Sequence, residues 1–513
     1  MDAVQTRTAT DFESRKAGAP DRRVSFGIAG LDDILHGGLP AGHLYLLDGP
    51  PGAGKTTIGL QFALTACNNH QRPLYITLSE SRQELLGVAS SHGWDLSQMP
   101  MFELVPQEDT LRPEQQYSVF NPEDVELSAL TDLISQKVEE VRPDVVVVDS
   151  LSELRLLARD GFRYRRQMLA LKSFFEERHC TVLLIDNESG DREPTVPSIV
   201  HGVMRLEVLG REYGSERRRL RVQKIRGSTF REGYHDYRIS TGGVLVHPRL
   251  VAAEHRLGQH RDLLKTGIAE LDAMLKGGVT RGTSTLMMGS AGVGKSSLAA
   301  RFVCTALERD ESASIYIFDE SMQVYLERSA GLGVDLRPYC ERGTLHLQQI
   351  DPAEVPPGEF VNDIRHRVAD GASVVVIDSL NGCLKAMPGE QYLQLQMHEL
   401  LSYLGAQGVA TFLVLAQQGV LGPMHAEIDL SYLADTIILL RYFEALGDIR
   451  KAISIFKKRS GPHESTIREL RVYPGGIEVG EPLKSFQGVL TGVPRYIGRD
   501  GKSQLMAINA DEE

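Results

Sequence analysis

Two stretches of the chain decide its fold: Gly49-Pro50-Pro51-Gly52-Ala53-Gly54-Lys55-Thr56 and Gly289-Ser290-Ala291-Gly292-Val293-Gly294-Lys295-Ser296. Both fit the phosphate-loop pattern G-x-x-x-x-G-K-[ST]. Glycine is required in this pattern because successive backbone N–H groups must converge on phosphate oxygens, where a side chain would obstruct them. Each stretch follows an apolar run and precedes a helical pattern, so the sequence predicts two phosphate-binding sites, each between a strand and a helix.

The last residues of each loop have separate predicted roles. Lys55 and Lys295 are expected to reach the β and γ phosphates of a nucleotide, while Thr56 and Ser296 offer a hydroxyl oxygen to Mg²⁺. The helix that begins at each loop presents its positive end to the bound anion. The predicted nucleotide contacts are Gly49, Gly52, Ala53, Gly54, Lys55, Thr56 and Thr57 in the first loop, and Gly289, Gly292, Val293, Gly294, Lys295, Ser296 and Ser297 in the second.

An aspartate at the end of an apolar strand is the expected second contact of each metal ion. Asp149 ends the run VVVVD and Asp378 ends the run VVVID, and a serine follows each of them. A carboxylate there is costly to bury unless it has a partner, and a magnesium ion beside the phosphates would provide one. Capping of the following helix is the alternative role. The predicted metal contacts are therefore Thr56, Asp149, Ser296 and Asp378.

Acidic residues also follow the next strand after each loop. The segment TLSES contains Glu80, and the segment IFDES contains Asp319 and Glu320. Hydrolysis or phosphoryl transfer requires a carboxylate that orients water or a hydroxyl group for attack on phosphorus. These three residues are the predicted catalytic bases. The alternative is that they cap the helices that follow.

The chain is internally duplicated. Residues 26–57 and 266–297 align without a gap and share 14 identities in 32 positions. Short apolar runs separated by helical segments follow in the same order in both copies, as in parallel sheets covered on both faces. Two complete α/β domains in tandem are predicted. The expected boundaries are a flexible tail at 1–20, a first domain at 21–247, a linker at 248–262, a second domain at 263–485 and a C-terminal loop and tail at 486–513.

Two basic pairs end similar strands in the two copies. In LRVQKIRG, two-residue alternation places Lys224 and Arg226 on the same face as the apolar residues, and ISIFKKRSG repeats this arrangement with Lys457 and Arg459. We expect these cations to reach a nucleotide held by an adjacent subunit, as trans-acting arginines do in ring ATPases. A solvated hairpin is the alternative.

Composition argues against several classes of protein. The 513 residues include 56 basic and 68 acidic side chains, a formal charge of -12, so nucleic acid is not an expected partner. The five cysteines form no C-x-x-C pair, which argues against a disulfide framework and a zinc site. No apolar run approaches the roughly 18 residues that a membrane span requires. A cytoplasmic protein that does not associate with a membrane is expected.

These motifs resemble those of the KaiC family within the RecA-like superfamily. Further marks are GIAGLDDILHGGLPAG and GIAELDAMLKGGVTRG before the loops, SHGWDL at 91–96 and LADTIILLRYFE at 433–444. The resemblance implies two tandem RecA-like P-loop NTPase domains, each a mostly parallel sheet flanked by helices. It also implies a homohexamer with ATP bound between subunits, a slow ATPase in the first domain, and autokinase and autophosphatase activities in the second.

The resemblance also assigns roles to residues outside the loops. Ser431 and Tyr432 stand where family members carry the phosphorylated pair, in which a threonine usually follows the serine. Ser91 and Ser228 fall at nucleotide-contacting positions of the first site, and Lys451 at one of the second.

The acid pair departs from the family pattern of two glutamates. Ser79 replaces the first glutamate in the first domain, and Asp319 replaces it in the second. Glu80 alone would then support hydrolysis, at an altered rate. The Asp319 side chain is one methylene shorter than glutamate, which would move that base away from a serine hydroxyl and weaken the expectation of kinase activity.

The resemblance carries expectations about partners as well. A KaiB-like protein is an expected partner of the first-domain ring, whereas the short tail ending in Asp511-Glu512-Glu513 argues against a KaiA-like activator. The segment 486–497 resembles a loop that switches the second domain between kinase and phosphatase states. The predicted function is a timing or stress-related signalling ATPase with autokinase activity. Two alternatives stay open: a RecA-type nucleic-acid-dependent ATPase, which the acidic charge opposes, and a binding scaffold that uses ATP only to close its ring.

Overall fold

The computed structural model describes residues 22–104, 122–158, 160–187, 195–210, 213–255, 262–385, 393–417, 432–445, 447–491 and 495–496. The chain divides into two compact units, Met1–Arg249 and Leu250–Glu513. Each unit has its own nine-stranded sheet with apolar clusters on both faces. Among the described residues, no helix has the length and apolar character needed to cross a membrane.

The sheet of the first unit is mostly parallel. Its strands are β1 (Arg23–Val24), β2 (Leu39–Pro40), β3 (Leu44–Gly49), β4 (Pro73–Thr77), β5 (Met101–Glu103), β6 (Val145–Asp149), β7 (Thr181–Asn187), β8 (Gly202–Leu209), β9 (Arg217–Ile225), β10 (His235–Ser240) and β11 (Gly243–His247). Nine of these form one sheet in the order β11-β10-β9-β8-β3-β7-β6-β4-β5. In this order, neighbouring strands between β8 and β5 pair in parallel, whereas β8, β9, β10 and β11 pair antiparallel with one another. The phosphate loop therefore follows a central strand, β3.

Helices cover both faces of this sheet. They are α1 (Ala29–Ile34), α2 (Lys55–Asn68), α3 (Arg82–Ser91), α4 (Pro122–Val141), α5 (Leu151–Ala158), α6 (Gly161–Glu177) and α7 (Thr195–Ile199). Alternate strand residues face opposite layers, as the two-residue period of a strand requires. Tyr45 and Val147 pack with Phe62 of α2, whereas Leu46 packs in the other layer with Met168 of α6.

The second unit repeats this architecture. Its strands are β12 (Leu263–Leu264), β13 (Val279–Thr280), β14 (Ser284–Gly289), β15 (Ser312–Ile317), β16 (Leu345–Gln349), β17 (Ala372–Asp378), β18 (Ala410–Ala416), β19 (Thr436–Ala445), β20 (Asp448–Lys458), β21 (Arg468–Tyr473), β22 (Gly476–Pro482), β23 (Phe486–Gln487) and β24 (Arg495–Tyr496). The large sheet has the order β16-β15-β17-β18-β14-β19-β20-β21-β22, with β14 central and followed by the second phosphate loop.

Helices also flank the second sheet. They are α8 (Ala269–Met274), α9 (Lys295–Leu307), α10 (Met322–Gly331), α11 (Arg337–Glu341), α12 (Pro357–Ala369), α13 (Leu380–Lys385) and α14 (Leu393–Ala406). Phe302 of α9 packs on one face of the sheet, and Leu400 of α14 lies in the apolar cluster of the other. The predicted fold class, two α/β domains each with a mostly parallel sheet between helices, is confirmed.

The predicted alternation at the basic pairs is wrong, because each strand contains a β-bulge. In β9 the ladder pairs Val222 with Met204 and Lys224 with Val203, so Gln223 is an extra residue. The bulge turns Ile225 into the core behind Val222, and Lys224 points to the other face. In β20, Phe456 is the extra residue at the equivalent place, between Ile455 and Lys457.

Part of the segment predicted as a linker packs on the second unit. Leu250 is 6% exposed and lies in one of the apolar clusters of that unit. A short 3-10 helix, Ala252–Glu254, follows it, and the Ala252 N–H donates to Glu399 Oε2 at 3.0 Å. The chain is therefore already part of the second unit at Leu250.

Candidate functional site

The first phosphate loop joins the end of β3 to the start of α2. Gly54, the residue before the helix, has a left-handed backbone with φ of 86°, a conformation that glycine adopts without strain. Lys55 is 7% exposed and folds back over the loop, where its Nζ donates to Gly49 O at 2.8 Å and Pro50 O at 2.9 Å. The burial of this amine lowers its pKa, although the Asp149, Asp48 and Asp186 carboxylates act in the opposite direction.

The second loop has the same construction. Gly294 precedes α9 with φ of 115°, and Lys295 Nζ donates to Gly289 O at 2.9 Å and Ser290 O at 2.7 Å. Burial lowers the pKa of Lys295 to about 8. In both loops the lysine occupies the concave side of the loop where phosphate oxygens would be held.

In the first unit the predicted metal residues lie together. The Thr56 hydroxyl donates to Asp149 Oδ2 at 2.8 Å, and the phenol of Tyr75 donates to the same oxygen at 2.7 Å. Asp149 is 4% exposed, and its burial raises the pKa of the carboxyl, although both hydrogen bonds oppose that change. Since these partners lie on β4 and α2, the carboxylate faces the loop and does not cap the following helix.

In the second unit Asp378 and Ser296 are also paired. A hydrogen bond with Ser296 lowers the pKa of the buried Asp378 carboxyl, whereas burial, the larger effect, raises it. The capping role belongs to the next residue, because the Gly382 N–H donates to Ser379 Oγ at 3.1 Å. Among the described residues, Asp378 Oδ2 has no hydrogen-bond partner.

These oxygen groups suit magnesium. Mg²⁺ prefers carboxylate, hydroxyl and phosphate oxygens, and here each buried aspartate is hydrogen-bonded with the last loop residue. Asp378 Oδ2, which has no hydrogen-bond partner among the described residues, is available as a ligand atom. Thr56 with Asp149, and Ser296 with Asp378, would hold the ion, which would neutralise charge on the phosphates.

Glu80 does not cap the helix that follows it. The cap of α3 is made by Ser81, which accepts from the Glu84 N–H, while Glu84 completes the capping box. Glu80 Oε2 is buried without a hydrogen-bond partner among the described residues. Burial, and next the Asp149 carboxylate, raise the pKa of Glu80.

The two acids of the second unit are both engaged by other side chains. The Ser379 hydroxyl donates to Asp319, and Arg328 of α10 donates from Nη2 to Glu320 Oε1 at 2.6 Å. Helix α10 is capped by Ser321, so neither acid serves as its cap. Burial raises the pKa of Glu320, and Arg328 opposes that change.

Sequence reasoning missed Arg328 and two phenols. Tyr325, one turn before Arg328 on α10, is fully buried, and its charge interactions include Asp378 and Glu320. Tyr75 contacts the first aspartate from a strand instead. At a shift of 240 positions Arg328 corresponds to Val88. A position-by-position comparison of the two copies could have revealed these replacements of an apolar residue by a polar one.

The two loops are covered by different side chains. In the first unit, the Tyr237 hydroxyl donates to Ala53 O at 2.6 Å. In the second, the Tyr442 hydroxyl donates to Ala291 O at 3.4 Å and Lys451 Nζ donates to Gly292 O at 3.3 Å. The structure therefore brings Lys451 to the loop of its own unit.

The basic pairs lie at the end of each sheet where the parallel strands begin, which is the end opposite the phosphate loop. Lys224 and Arg226 donate to the carbonyls of Pro197 and Ser198, before the start of β8. Lys457 donates in the same way to Ala434 O at 2.8 Å, before the start of β19. The six-residue strand β3 spans about 20 Å. These cations therefore cannot contact a phosphate bound by the loop of their own unit.

The remaining predicted nucleotide contacts form hydrogen bonds with other parts of the chain. Ser228 accepts from Arg23 Nη2 at 2.8 Å, near the short strand β1. The hydroxyl of Ser91, the last residue of α3, donates to Val88 O at 2.7 Å. Arg459 donates to Tyr432 O at 3.2 Å, and the Tyr432 side chain is 53% exposed. Ser431 lies outside the described residues.

Comparison with known proteins matches both units to one family. The description of this family is "ATPase: KaiC", and its model matches residues 24–251 and again 264–484. The chain belongs to the KaiC family. The tandem sheets are thus RecA-like P-loop domains, as the sequence predicted. For the whole chain, this membership supports ATP binding and ATPase activity.

Curated relatives extend over nearly all of the chain. The circadian clock oscillator protein KaiC of Picosynechococcus sp. is 26% identical over 492 residues, 94% of each chain. The protein of the same name from Thermostichus vulcanus is 26% identical over 96% of each chain. That of Synechococcus elongatus is 27% identical over 94% of this chain and 93% of its own. The family model establishes the family, and at 26–27% identity to these relatives the roles of single residues rest on geometry.

Proposed function

We propose that this KaiC-family protein is a Mg²⁺-dependent ATPase that forms a homohexamer, with each nucleotide between two copies of the chain. Its second unit would also transfer phosphate to the Ser431–Tyr432 region of the adjacent copy and remove it again. The output would be a signalling state read by a KaiB-like partner, in timing or in stress adaptation, within the cytoplasm.

The observation that supports this proposal is the separation of the two halves of each site. The loop, the metal residues and the acids lie where the parallel strands end, whereas Lys224, Arg226, Lys457 and Arg459 lie toward where they begin. Tyr432, beside Arg459, lies on this second side too. A second copy that places this side against the loop of the first would complete the site with cations and a phosphate acceptor.

The chemistry then needs few groups. The loop amides and Lys295 hold the phosphates, and Glu320 or Asp319 takes the proton from the attacking water or hydroxyl. The oxygen bonds to the γ phosphorus, the bond to the bridging oxygen breaks, and ADP leaves. In the first unit Glu80 would do the same for water alone, since Ser79 beside it has no carboxylate.

A mixing experiment tests transfer between copies. One variant, Lys295→Ala, keeps the acceptor region but should not hold ATP in its second loop. The other, Ser431→Ala with Tyr432→Phe, keeps the loop but lacks the acceptor hydroxyls. Each is incubated with Mg²⁺ and γ-labelled ATP, alone and mixed under conditions that exchange subunits, and label on each chain and phosphate release are measured.

The unmodified chain should be labelled. Of the variant samples, we expect label only in the mixture, and there only on the Lys295→Ala chain. Label on the Lys295→Ala chain when it is incubated without the other variant would contradict the second-site assignment. Phosphate release without label in any sample, including the unmodified chain, would retain the ATPase and contradict the kinase. Intact hexamers with neither signal would support the nucleotide-closed scaffold instead. The Glu320→Gln variant, which should lose label while keeping its oligomeric state, is the control for chemistry as opposed to assembly.

A further inference from the structure

We propose that Arg328 is a positioning residue that restrains Glu320 and thereby slows the chemistry of the second site. This inference rests on the proposed function, because it concerns the rate of the reaction that the second site would perform. It assigns a role to a side chain outside the phosphate loop, the metal residues and the basic pairs.

The ion pair is short and partly sheltered. Arg328 Nη2 lies 2.6 Å from Glu320 Oε1, and the two side chains are 35% and 25% exposed. The guanidinium also lies over the ring of Tyr325, 5.1 Å from its centroid, so it is held from two directions. A charge-assisted hydrogen bond of this length is stronger than one between neutral groups. The carboxylate is therefore oriented toward α10 by a fixed cation.

Among the described residues of the first unit, no arginine holds Glu80 in this way. The residue that corresponds to Arg328 is Val88, and the one that corresponds to Tyr325 is Leu85, both in α3. Glu80 keeps one carboxylate oxygen without a hydrogen-bond partner among the described residues. The two candidate bases follow equivalent strands, but only Glu320 accepts a hydrogen bond from an arginine among the described residues.

The ion pair affects phosphoryl transfer because the attacking oxygen must give its proton to a carboxylate. When water or an acceptor hydroxyl attacks the γ phosphorus and ADP departs, the proton of the attacking oxygen must pass to a carboxylate oxygen. Glu320 Oε1 already accepts a hydrogen bond from Arg328. The ion pair must loosen, or the other oxygen must be presented, before Glu320 can accept the proton. Replacement of Arg328 should therefore speed the reaction of the second site.

The test uses the full chain carrying Lys55→Ala, so that turnover reports on the second site. In this background Arg328→Gln removes the cation, and Arg328→Lys keeps it. Arg281→Gln is the matched control, because Arg281 also forms a 2.6 Å ion pair, with Glu311, but lies before the start of β14. Phosphate release and label on the protein are measured from pH 5 to 9, together with ADP affinity and the melting temperature.

We expect Arg328→Gln to raise turnover about threefold to fivefold, the factor that a partly exposed ion pair can account for. Arg328→Lys and Arg281→Gln should leave it unchanged. Among the described residues, the charges that face Glu320 are Arg328, Asp378 and Asp319. Loss of the only cation among them would move the acidic limb of the rate profile to higher pH. A purely structural role would change the melting temperature and leave this limb in place.

The outcomes separate this inference from the proposed function. Unchanged or lower turnover in Arg328→Gln, with ADP affinity and melting temperature kept, would overturn the inference alone. No turnover in the unmodified chain and in every variant would overturn both. A silent parent that becomes active with Arg328→Gln would support both, since the restraint would then be complete.

Discussion

At the scale of single residues, the two loop lysines carry the clearest electrostatic consequence. Burial lowers the pKa of Lys295 from 10.5 to about 8, so that at pH 8 about half of these amines are neutral in the nucleotide-free protein. Bound phosphates would restore the charge. We therefore expect ATP binding at pH 8 to take up about half a proton at the second site, and almost none at pH 6.5.

Calorimetric titration with ATP in two buffers of different ionisation enthalpy measures this uptake. The Lys295→Met variant should retain only the uptake that belongs to the first unit. Because the folded chain binds fewer protons at Lys295 than the unfolded chain, this residue should also make the nucleotide-free second unit more stable as the pH rises from about 8 to 10.5. Proton release on binding, in place of uptake, would contradict the lowered pKa.

At the scale of elements, the junction between β3 and α2 depends on one backbone conformation. Gly54 has φ of 86°, and a Cβ atom there would lie 2.4 Å from Ile239 Cδ1. Gly54→Ala should therefore destabilise the protein by about 1–2 kcal/mol and weaken nucleotide binding at the first site. Gly87, within α3, has open space around it, so Gly87→Ala should stabilise by about 0.5–1 kcal/mol. Urea unfolding of both variants checks the opposite signs, and equal effects would contradict the role of the junction.

Elements also show what the sequence could predict. The loops, the strands before them and the aspartates at strand ends follow short-range patterns, so their positions could be predicted. The bulges at Gln223 and Phe456 could not, because a one-residue insertion in a ladder is defined by the partner strand. The Arg328–Glu320 pair was missed since it depends on how α10 is rotated against the end of β15, which the seven residues between the two side chains do not specify.

At the scale of the whole molecule, Leu250 marks where the second unit begins. It is buried at 6% exposure among residues of that unit, although the sequence placed it in a linker. Leu250→Ala should cost about 2–3 kcal/mol, as for other buried leucines. Hydrogen exchange should accelerate in α14 and leave the first unit unchanged. The matched control is Leu245→Ala, whose side chain is 51% exposed, and faster exchange in the first unit would contradict this boundary.

The bulges at Gln223 and Phe456 distinguish features that the two copies share from features found in one copy only. Gln223 and Phe456 have different side chains but interrupt the same ladder at the same place, as expected if the bulge existed before the two copies diverged. On that account, features present in one copy alone, such as Arg328, date from after the duplication. One polypeptide therefore contains an internal pair of paralogues, folded in the same cell and at the same concentration. Each copy can serve as the reference against which the specialisation of the other is measured.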